Sequence, residues 1–333
     1  MSSSDPRPGH RPGVRVSVPA SSANLGPGFD VLGLALDLLD VFDVWEAGAD
    51  VRIEVDGEGA GSVPTDSTNL FHTAMHTYFD LAGYRPAGLL IREHNRIPLS
   101  RGLGSSAATI VGALLAAREL SGYAMDDERL LELGVALEGH PDNVSAALRG
   151  GLQMVARVED GQYMARTLGF SDRIGLALFV PDLELSTAAA RAALPGQYSQ
   201  ADAVHNLSRL ALLVSALGEG RLEDLQAATE DRFHQPYRAA LIPGFVDILD
   251  AATAAGAAGV FLSGAGPTVL ALYERRADGL GNAITEAMSG AAAGHHLDGR
   301  QMVLDVRHPG AEVTSVDADP TGVGPPPGEE TVV

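Results

Sequence analysis

The segment Ile97-Pro98-Leu99-Ser100-Arg101-Gly102-Leu103-Gly104-Ser105-Ser106-Ala107-Ala108 sets a glycine-rich loop directly before a run of Ala, Leu, Ile and Val. Glycine permits left-handed backbone and close approach of the main chain to a ligand. A helix start leaves unpaired N–H groups at the positive end of the helix dipole, which together suit a phosphate. Ser105 and Ser106 can cap that helix, ligand a cation or hydrogen-bond a phosphoryl oxygen. A lone loop of this kind is equally an ordinary turn with an N-cap, so its company matters. Two other segments of small and polar residues supply company. Val18-Pro19-Ala20-Ser21-Ser22-Ala23-Asn24-Leu25-Gly26-Pro27-Gly28-Phe29-Asp30 carries Asn24 and Asp30 as polar handles, and Leu262-Ser263-Gly264-Ala265-Gly266-Pro267-Thr268-Val269 lies far down the chain. Either alone also reads as a turn.

The elements that must hold these segments alternate between strand and helix. Apolar and polar residues alternate over Val14–Val18 and Val51–Val55, the pattern of half-buried strands. Further strands are expected at Leu89–Arg92, Leu152–Val158, Ile174–Val180, Gly259–Leu262, Val269–Tyr273 and Met302–Val306. Ser105–Leu120 has the composition of a helix buried nearly all round. Asp127–Leu137 reads as an amphipathic helix with acidic residues in its first turn. Helices are also expected at Asn69–Leu81, Ser186–Leu194, Ala201–Leu217, Leu222–Thr229, Phe245–Ala255 and Leu280–Ala291. No internal repeat is visible. The mixture predicts an α+β protein of two sandwiches, 14–165 and 166–308. Residues 1–13 and 309–333 are rich in Pro, Gly and polar residues and read as disordered tails.

Composition excludes several chemistries. The 333 residues carry a net charge of −20, which repels nucleic acid and anionic membrane surfaces, so any polyphosphate site must be locally positive. No stretch approaches a membrane span, and the first residues lack the apolar core of a secretory signal, so a cytoplasmic location is expected. The chain has no cysteine, hence no disulfide, zinc-thiolate site or thiol nucleophile. All 23 basic residues are arginine. Without lysine, a P-loop of the GxxxxGK[ST] type, the third-strand lysine of protein kinases and Schiff-base catalysis are all absent.

In this order and wording the three segments resemble the GHMP kinases. The first motif of that family matches residues 18–30, its PxxxGLGSSAA motif matches Pro98–Ala108, and its third matches residues 263–269. The similarity runs from about Val14 to His308. It implies a two-domain fold, a ribosomal-protein-S5-domain-2-like N-terminal domain that binds ATP and a ferredoxin-like C-terminal domain. The family's phosphate loop does not depend on a P-loop lysine. By the resemblance, ATP rests on Pro98, Leu99, Ser100, Arg101, Gly102, Leu103, Gly104, Ser105, Ser106, Ala107 and Ala108. Asn69 helps place the adenine, Glu138 with Ser106 (or Ser105) holds Mg²⁺, and Asn143 lies by the attacking hydroxyl.

Other segments narrow the resemblance to the branch that phosphorylates the side-chain hydroxyl of homoserine, in threonine biosynthesis. They are residues 18–38, Leu137-Glu138-Gly139-His140-Pro141-Asp142-Asn143-Val144, Ser186–Arg191 and Asp231-Arg232-Phe233-His234-Gln235-Pro236-Tyr237-Arg238. A zwitterionic substrate fits the residue types. Arg191 and Arg238 can fork a carboxylate, and Asp30 with Asn24 can accept from an ammonium. The resemblance adds His140 and Asn143 to that pocket. Asp142 is the one candidate general base, and the expectation is that none is needed. Two alternatives stay open: a GHMP kinase acting on mevalonate or a sugar, and a catalytically silent ligand-binding relative. The resemblance also leaves a homodimer open.

Overall fold

The structure is a computed structural model and describes residues 13–47, 49–158 and 160–316. In chain order the first part runs β1 (Gly13–Ala23), β2 (Leu32–Glu46), β3 (Val51–Gly57), α1 (Leu70–Ala82), β4 (Leu89–Asn95), α2 (Ser105–Ser121), α3 (Asp127–Glu138), α4 (Pro141–Arg149), β5 (Leu152–Arg157) and β6 (Tyr163–Leu168). The second part runs β7 (Ile174–Pro181), α5 (Thr187–Ala192), α6 (Gln200–Glu219), α7 (Leu222–Ala228), α8 (Gln235–Arg238), α9 (Phe245–Ala254), β8 (Gly259–Leu262), β9 (Val269–Glu274), α10 (Leu280–Ala293), β10 (Gly299–Leu304) and β11 (Glu312–Val316).

β2 is the spine of the first sheet. One end pairs antiparallel with β5 and the other with β4, while β1 runs antiparallel along its length. β3 lies parallel to β4, as its crossover through α1 requires. The register of β1 against β2 shifts between Pro19 and Ala20, just where the strand enters the first motif. α2 packs on β1 and β2 and is flanked by α1, α3 and α4. Its apolar residues are buried on nearly every side, as the composition predicts. Phe42 of β2 is fully buried and stacks on Phe71 of α1 at 4.7 Å. Burial of such a ring contributes about 1.5–3 kcal/mol.

The second sheet has the order β10-β7-β9-β8, all antiparallel. With α9 before β8 and α10 before β10 this is the ferredoxin-like arrangement. β7 is buried along its whole length because both faces are covered. Ala177 and Phe179 meet Ile248 of α9 and Ile284 and Met288 of α10, whereas Leu176, Leu178 and Val180 join the core that also holds the first sheet.

The expected limits of the domains need two corrections. β6 continues the first sheet to Leu168, beyond the boundary at 165. Residues 312–316, assigned to a tail, form β11 and pair with β1, which satisfies that strand's otherwise open edge. Of the other residues assigned to tails, Gly13 begins β1 and 309–311 lead into β11, whereas 1–12 and 317–333 lie outside the described residues.

Candidate active site

The loop between β4 and α2 is fixed from behind. Asp40 of β2 accepts hydrogen bonds from the N–H groups of Arg96 (2.6 Å) and Ile97 (2.9 Å), anchoring the loop's first residues. Burial pushes the Asp40 carboxyl up to about 7, against those two bonds. Gly102 (φ 78°) and Gly104 (φ 72°) are left-handed. A Cβ at Gly102 would lie 2.3 Å from the Ser263 carbonyl oxygen, and one at Gly104 2.2 Å from Ser21 Oγ. Glycine is required at both for conformation and for space.

The other two motifs take up the loop's carbonyl groups. Ser21 N–H donates to Leu103 O (2.9 Å), Thr268 N–H to Arg101 O (3.2 Å) and Ser263 Oγ to Gly102 O (2.7 Å). Ser263 Oγ also meets Ser22 Oγ at 2.8 Å, so the first and third motifs touch each other directly as well. α2 starts at Gly104 with no side-chain cap. Its first N–H groups are therefore donors that no cap has satisfied, the arrangement that suits a phosphate.

Ser106 stands on the first turn of α2 and donates to Glu138 Oε2 (2.7 Å) at the end of α3. Gly139 (φ 94°) turns the chain so that His140 and Pro141 begin α4. Burial holds the Glu138 carboxyl above the usual carboxylate range, against the Ser106 hydrogen bond and the nearby His140. Burial also opposes charge on His140, but contact with Asp142 (3.4 Å) and Glu138 (3.8 Å) outweighs it and raises the imidazole's pKa. Asn143 is buried and donates from Nδ2 to Ser21 Oγ (3.0 Å). Among the described residues no three acidic or histidine side chains converge as a metal cage.

On the opposite wall, Arg191 of α5 forms a two-pronged pair with Asp30, Nη1–Oδ2 3.0 Å and Nη2–Oδ1 2.9 Å. Asn24 braces this corner. Its Oδ1 accepts from Asp30 N–H (3.0 Å) and its Nδ2 donates to Gly264 O (3.0 Å). Asn24 and Asp30 both have left-handed backbones, φ 70° and 56°. Arg238 is buried, and its Nη1 donates to the same Gly264 carbonyl (2.8 Å).

The cleft brings together Asn24, Asp30, Pro98, Ser100–Ser106, Glu138, His140, Asn143, Arg191 and Arg238. Leu99, Ala107 and Ala108 do not line it, and the two alanines pack in the core. Asn69, expected by the resemblance to help place the adenine, lies outside the residues that line this cleft. Its Oδ1 caps α1 at His72 N–H (3.0 Å), and its Nδ2 is spent on Glu93 (2.7 Å) and Pro64 O (2.9 Å). Arg191 and Asp30 pair with each other, and Asn24 is a brace. Residues not singled out from the sequence include Ser21, Ser22 and Ser263, all inside the recognised motifs, and Asp40, Phe29 and His234.

The family description "GHMP kinases N terminal domain" matches residues 69–151, and "GHMP kinases C terminal" matches residues 213–290. The homoserine kinase of Desulfitobacterium hafniense is 42% identical over 90% of this chain and 99% of its own length. The chain belongs to the GHMP kinases. As a GHMP kinase it takes ATP as its phosphate donor. The homoserine kinase of Caldanaerobacter subterraneus is 46% identical over 78% of this GHMP kinase and 83% of its own length. A crystal structure of homoserine kinase from Cytophaga hutchinsonii superposes with a TM-score of 0.82 at 30% identity, covering 91% of this chain and 98% of that one. The L. major mevalonate kinase, at 16% identity and a TM-score of 0.63, shares the GHMP fold.

Proposed function

We propose that this GHMP kinase transfers the γ-phosphoryl group of ATP to the side-chain hydroxyl of L-homoserine, giving O-phospho-L-homoserine for threonine biosynthesis. The observation that carries the reading is that one cleft joins an uncapped glycine-loop helix start to a wall with one carboxylate, Asp30, and two guanidiniums, Arg191 and Arg238. A zwitterion needs both signs of charge, whereas mevalonate or a sugar has no ammonium for Asp30. The homoserine kinases with 42% and 46% identity support the same substrate.

Residues 102–106 would take the phosphates through main-chain N–H groups. Glu138 and Ser106 would hold Mg²⁺, a hard cation that keeps several waters and needs only one or two protein oxygens. The donor set fits, because a carboxylate and a hydroxyl oxygen already lie 2.7 Å apart at the helix start. When bound, the ion offsets phosphate charge. Asp30 and Arg191 would exchange their mutual pair for the ammonium and carboxylate of the substrate, and Arg238 would add a second fork. Asn143, fixed by Ser21, would orient the hydroxyl beside Gly104. Asp142 is not assigned as a base, since phosphoryl transfer through a loose transition state rests on positioning and charge. The reading includes a cytoplasmic enzyme with small-molecule partners, in keeping with a net charge of −20, and a homodimer by resemblance. Among the described residues no helix is long and apolar enough to cross a membrane.

Coupled ADP release with Mg-ATP tests this against homoserine, mevalonate, galactose, serine and threonine. Turnover with homoserine is expected to exceed every other acceptor. Turnover of another hydroxyl compound in its place would overturn the substrate, and ATP binding without turnover of any would restore the silent-relative reading.

A further inference from the structure

Arg238 is among the largest fully buried side chains, and its guanidinium keeps its charge. Nη1 donates to Gly264 O (2.8 Å) and lies 3.3 Å from His234 Nδ1, and Nε donates to Ala190 O (3.3 Å). Nη2 makes no hydrogen bond among the described residues, and Arg238 lines the cleft. His234 is itself fully buried, with its other ring nitrogen, Nε2, 2.8 Å from the Gly26 carbonyl oxygen.

These two contacts fix the state of the ring. A carbonyl only accepts, so Nε2 carries a hydrogen. A guanidinium only donates, so Nδ1 offers its lone pair. One species meets both demands, the neutral imidazole protonated at Nε2. Burial, aided by the Arg238 charge and opposed by Asp231 and Asp30, lowers the ring's pKa and favours that neutral form.

We propose that His234 is a positioning residue for the acceptor site, holding Arg238 through a bare Nδ1 and tying it to the Gly26–Asp30 loop through Nε2–H. Nη2 of Arg238 is thereby presented to the substrate carboxylate, a role that rests on the reading of the cleft given above. The rest of the local structure holds the ring still. Asp231 accepts from the N–H groups of Phe233 (2.8 Å), His234 (2.9 Å) and Gln235 (2.7 Å). Phe29 stacks on the imidazole at 5.4 Å and lies 5.5 Å from the Arg238 guanidinium and 5.6 Å from that of Arg191. His234 is thus a joint between the first motif and the second domain's cation.

Two measurements test this. The ¹⁵N spectrum of the imidazole in the intact substrate-free enzyme at pH 7 is expected to show the neutral Nε2–H tautomer. An Nδ1–H tautomer or an imidazolium overturns the proposal, whatever becomes of the variants. Asn at 234 keeps an acceptor near the Nδ1 position, whereas Gln keeps a donor near Nε2. H234Q is expected to raise the homoserine KM about ten- to thirty-fold, the size of a hydrogen bond to a charged group. Its kcat and ATP KM should change by no more than about twofold, and H234N should recover most of the loss. Equal effects of Asn and Gln, or an ATP KM that moves with the homoserine KM, would reduce His234 to a structural residue. Arg238→Gln separates the two layers. If it leaves the homoserine KM unchanged, the carboxylate reading fails; if it raises KM while H234Q does not, only the positioning role fails.

Discussion

Around residues 98–108 the groups proposed for the phosphates belong to the main chain, held by left-handed glycines and by hydrogen bonds to the loop's carbonyls. The facing wall is made of side chains, Asp30, Arg191 and Arg238, and the Asp30–Arg191 pair alone spans 161 residues of sequence. The first region presents main-chain N–H donors to any polyphosphate, with the Ser106 hydroxyl at its edge. The second presents charges of both signs in a fixed arrangement and can discriminate. Substitutions on the second wall should therefore alter acceptor affinity while leaving ATP affinity alone, and those at the loop's edge should alter turnover.

The largest effect is expected where the two regions meet. Glu138→Gln keeps the size of the side chain and its contact with Ser106 but removes the charge. Its kcat is expected to fall roughly 10²–10³-fold, in line with the loss of one preorganised electrostatic group, with homoserine affinity nearly unchanged. Steady-state kinetics at saturating Mg-ATP check this, and a loss confined to the homoserine KM would move Glu138 into the acceptor pocket.

On the discriminating wall the two arginines should differ. Truncating a buried charge partner costs about 2–5 kcal/mol, so Arg238→Gln is expected to raise the homoserine KM about thirty-fold or more. Arg191 is less buried, with 42% of its side chain exposed. Arg191→Gln should cost about 1 kcal/mol, a several-fold rise, because solvent screens such a contact. Equal effects would mean that burial does not separate the two sites.

The smallest effect concerns the loop's support. Asp40 titrates at about 7 in the folded protein because it is buried, above its ordinary 3.8. Between about pH 4 and 7 the folded state then holds a proton that the unfolded chain has released. Stability from this group falls as pH rises through that window and levels off above it. Asp40→Asn should flatten the slope by roughly 1–4 kcal/mol across the window, while Glu93 and Glu138, whose carboxyls burial also raises, contribute in the same sense. Urea melts at a series of pH values measure it. An unchanged slope would show that Asp40 is ionised in the folded protein.

The same contrast governs what the sequence disclosed. The loop and α2 were legible because their chemistry lies in consecutive residues: Gly102, Gly104 and the apolar helix after them. The ferredoxin-like half was legible as alternating strand and helix signals. β2 was not among the expected elements. Asp37, Asp40 and Asp43 recur every third residue among leucines and valines, which blurs the two-residue period of a strand. β11 was hidden because its polar composition reflects an edge strand with little to bury. The roles of Asn24 and Asn69 depend on partners up to 240 residues away, Gly264 for the first and Glu93 for the second. His234 lies within the 231–238 segment that carries part of the resemblance, but only the fold brings it to Gly26, 208 residues distant.

Selection of a zwitterion by the Asp30, Arg191 and Arg238 wall is tested most directly with two truncated acceptors. 4-Hydroxybutyrate keeps the carboxylate and hydroxyl of homoserine without the ammonium, and 3-aminopropan-1-ol keeps the amine and hydroxyl without the carboxylate. 3-Aminopropan-1-ol should show kcat/KM below about one hundredth of the homoserine value, since it leaves the buried Arg238 charge unpaired, and 4-hydroxybutyrate a value roughly several-fold to tenfold below it, since Asp30 is partly exposed and solvent screens its charge. Comparable turnover of either truncated acceptor would contradict recognition of both charges by this wall.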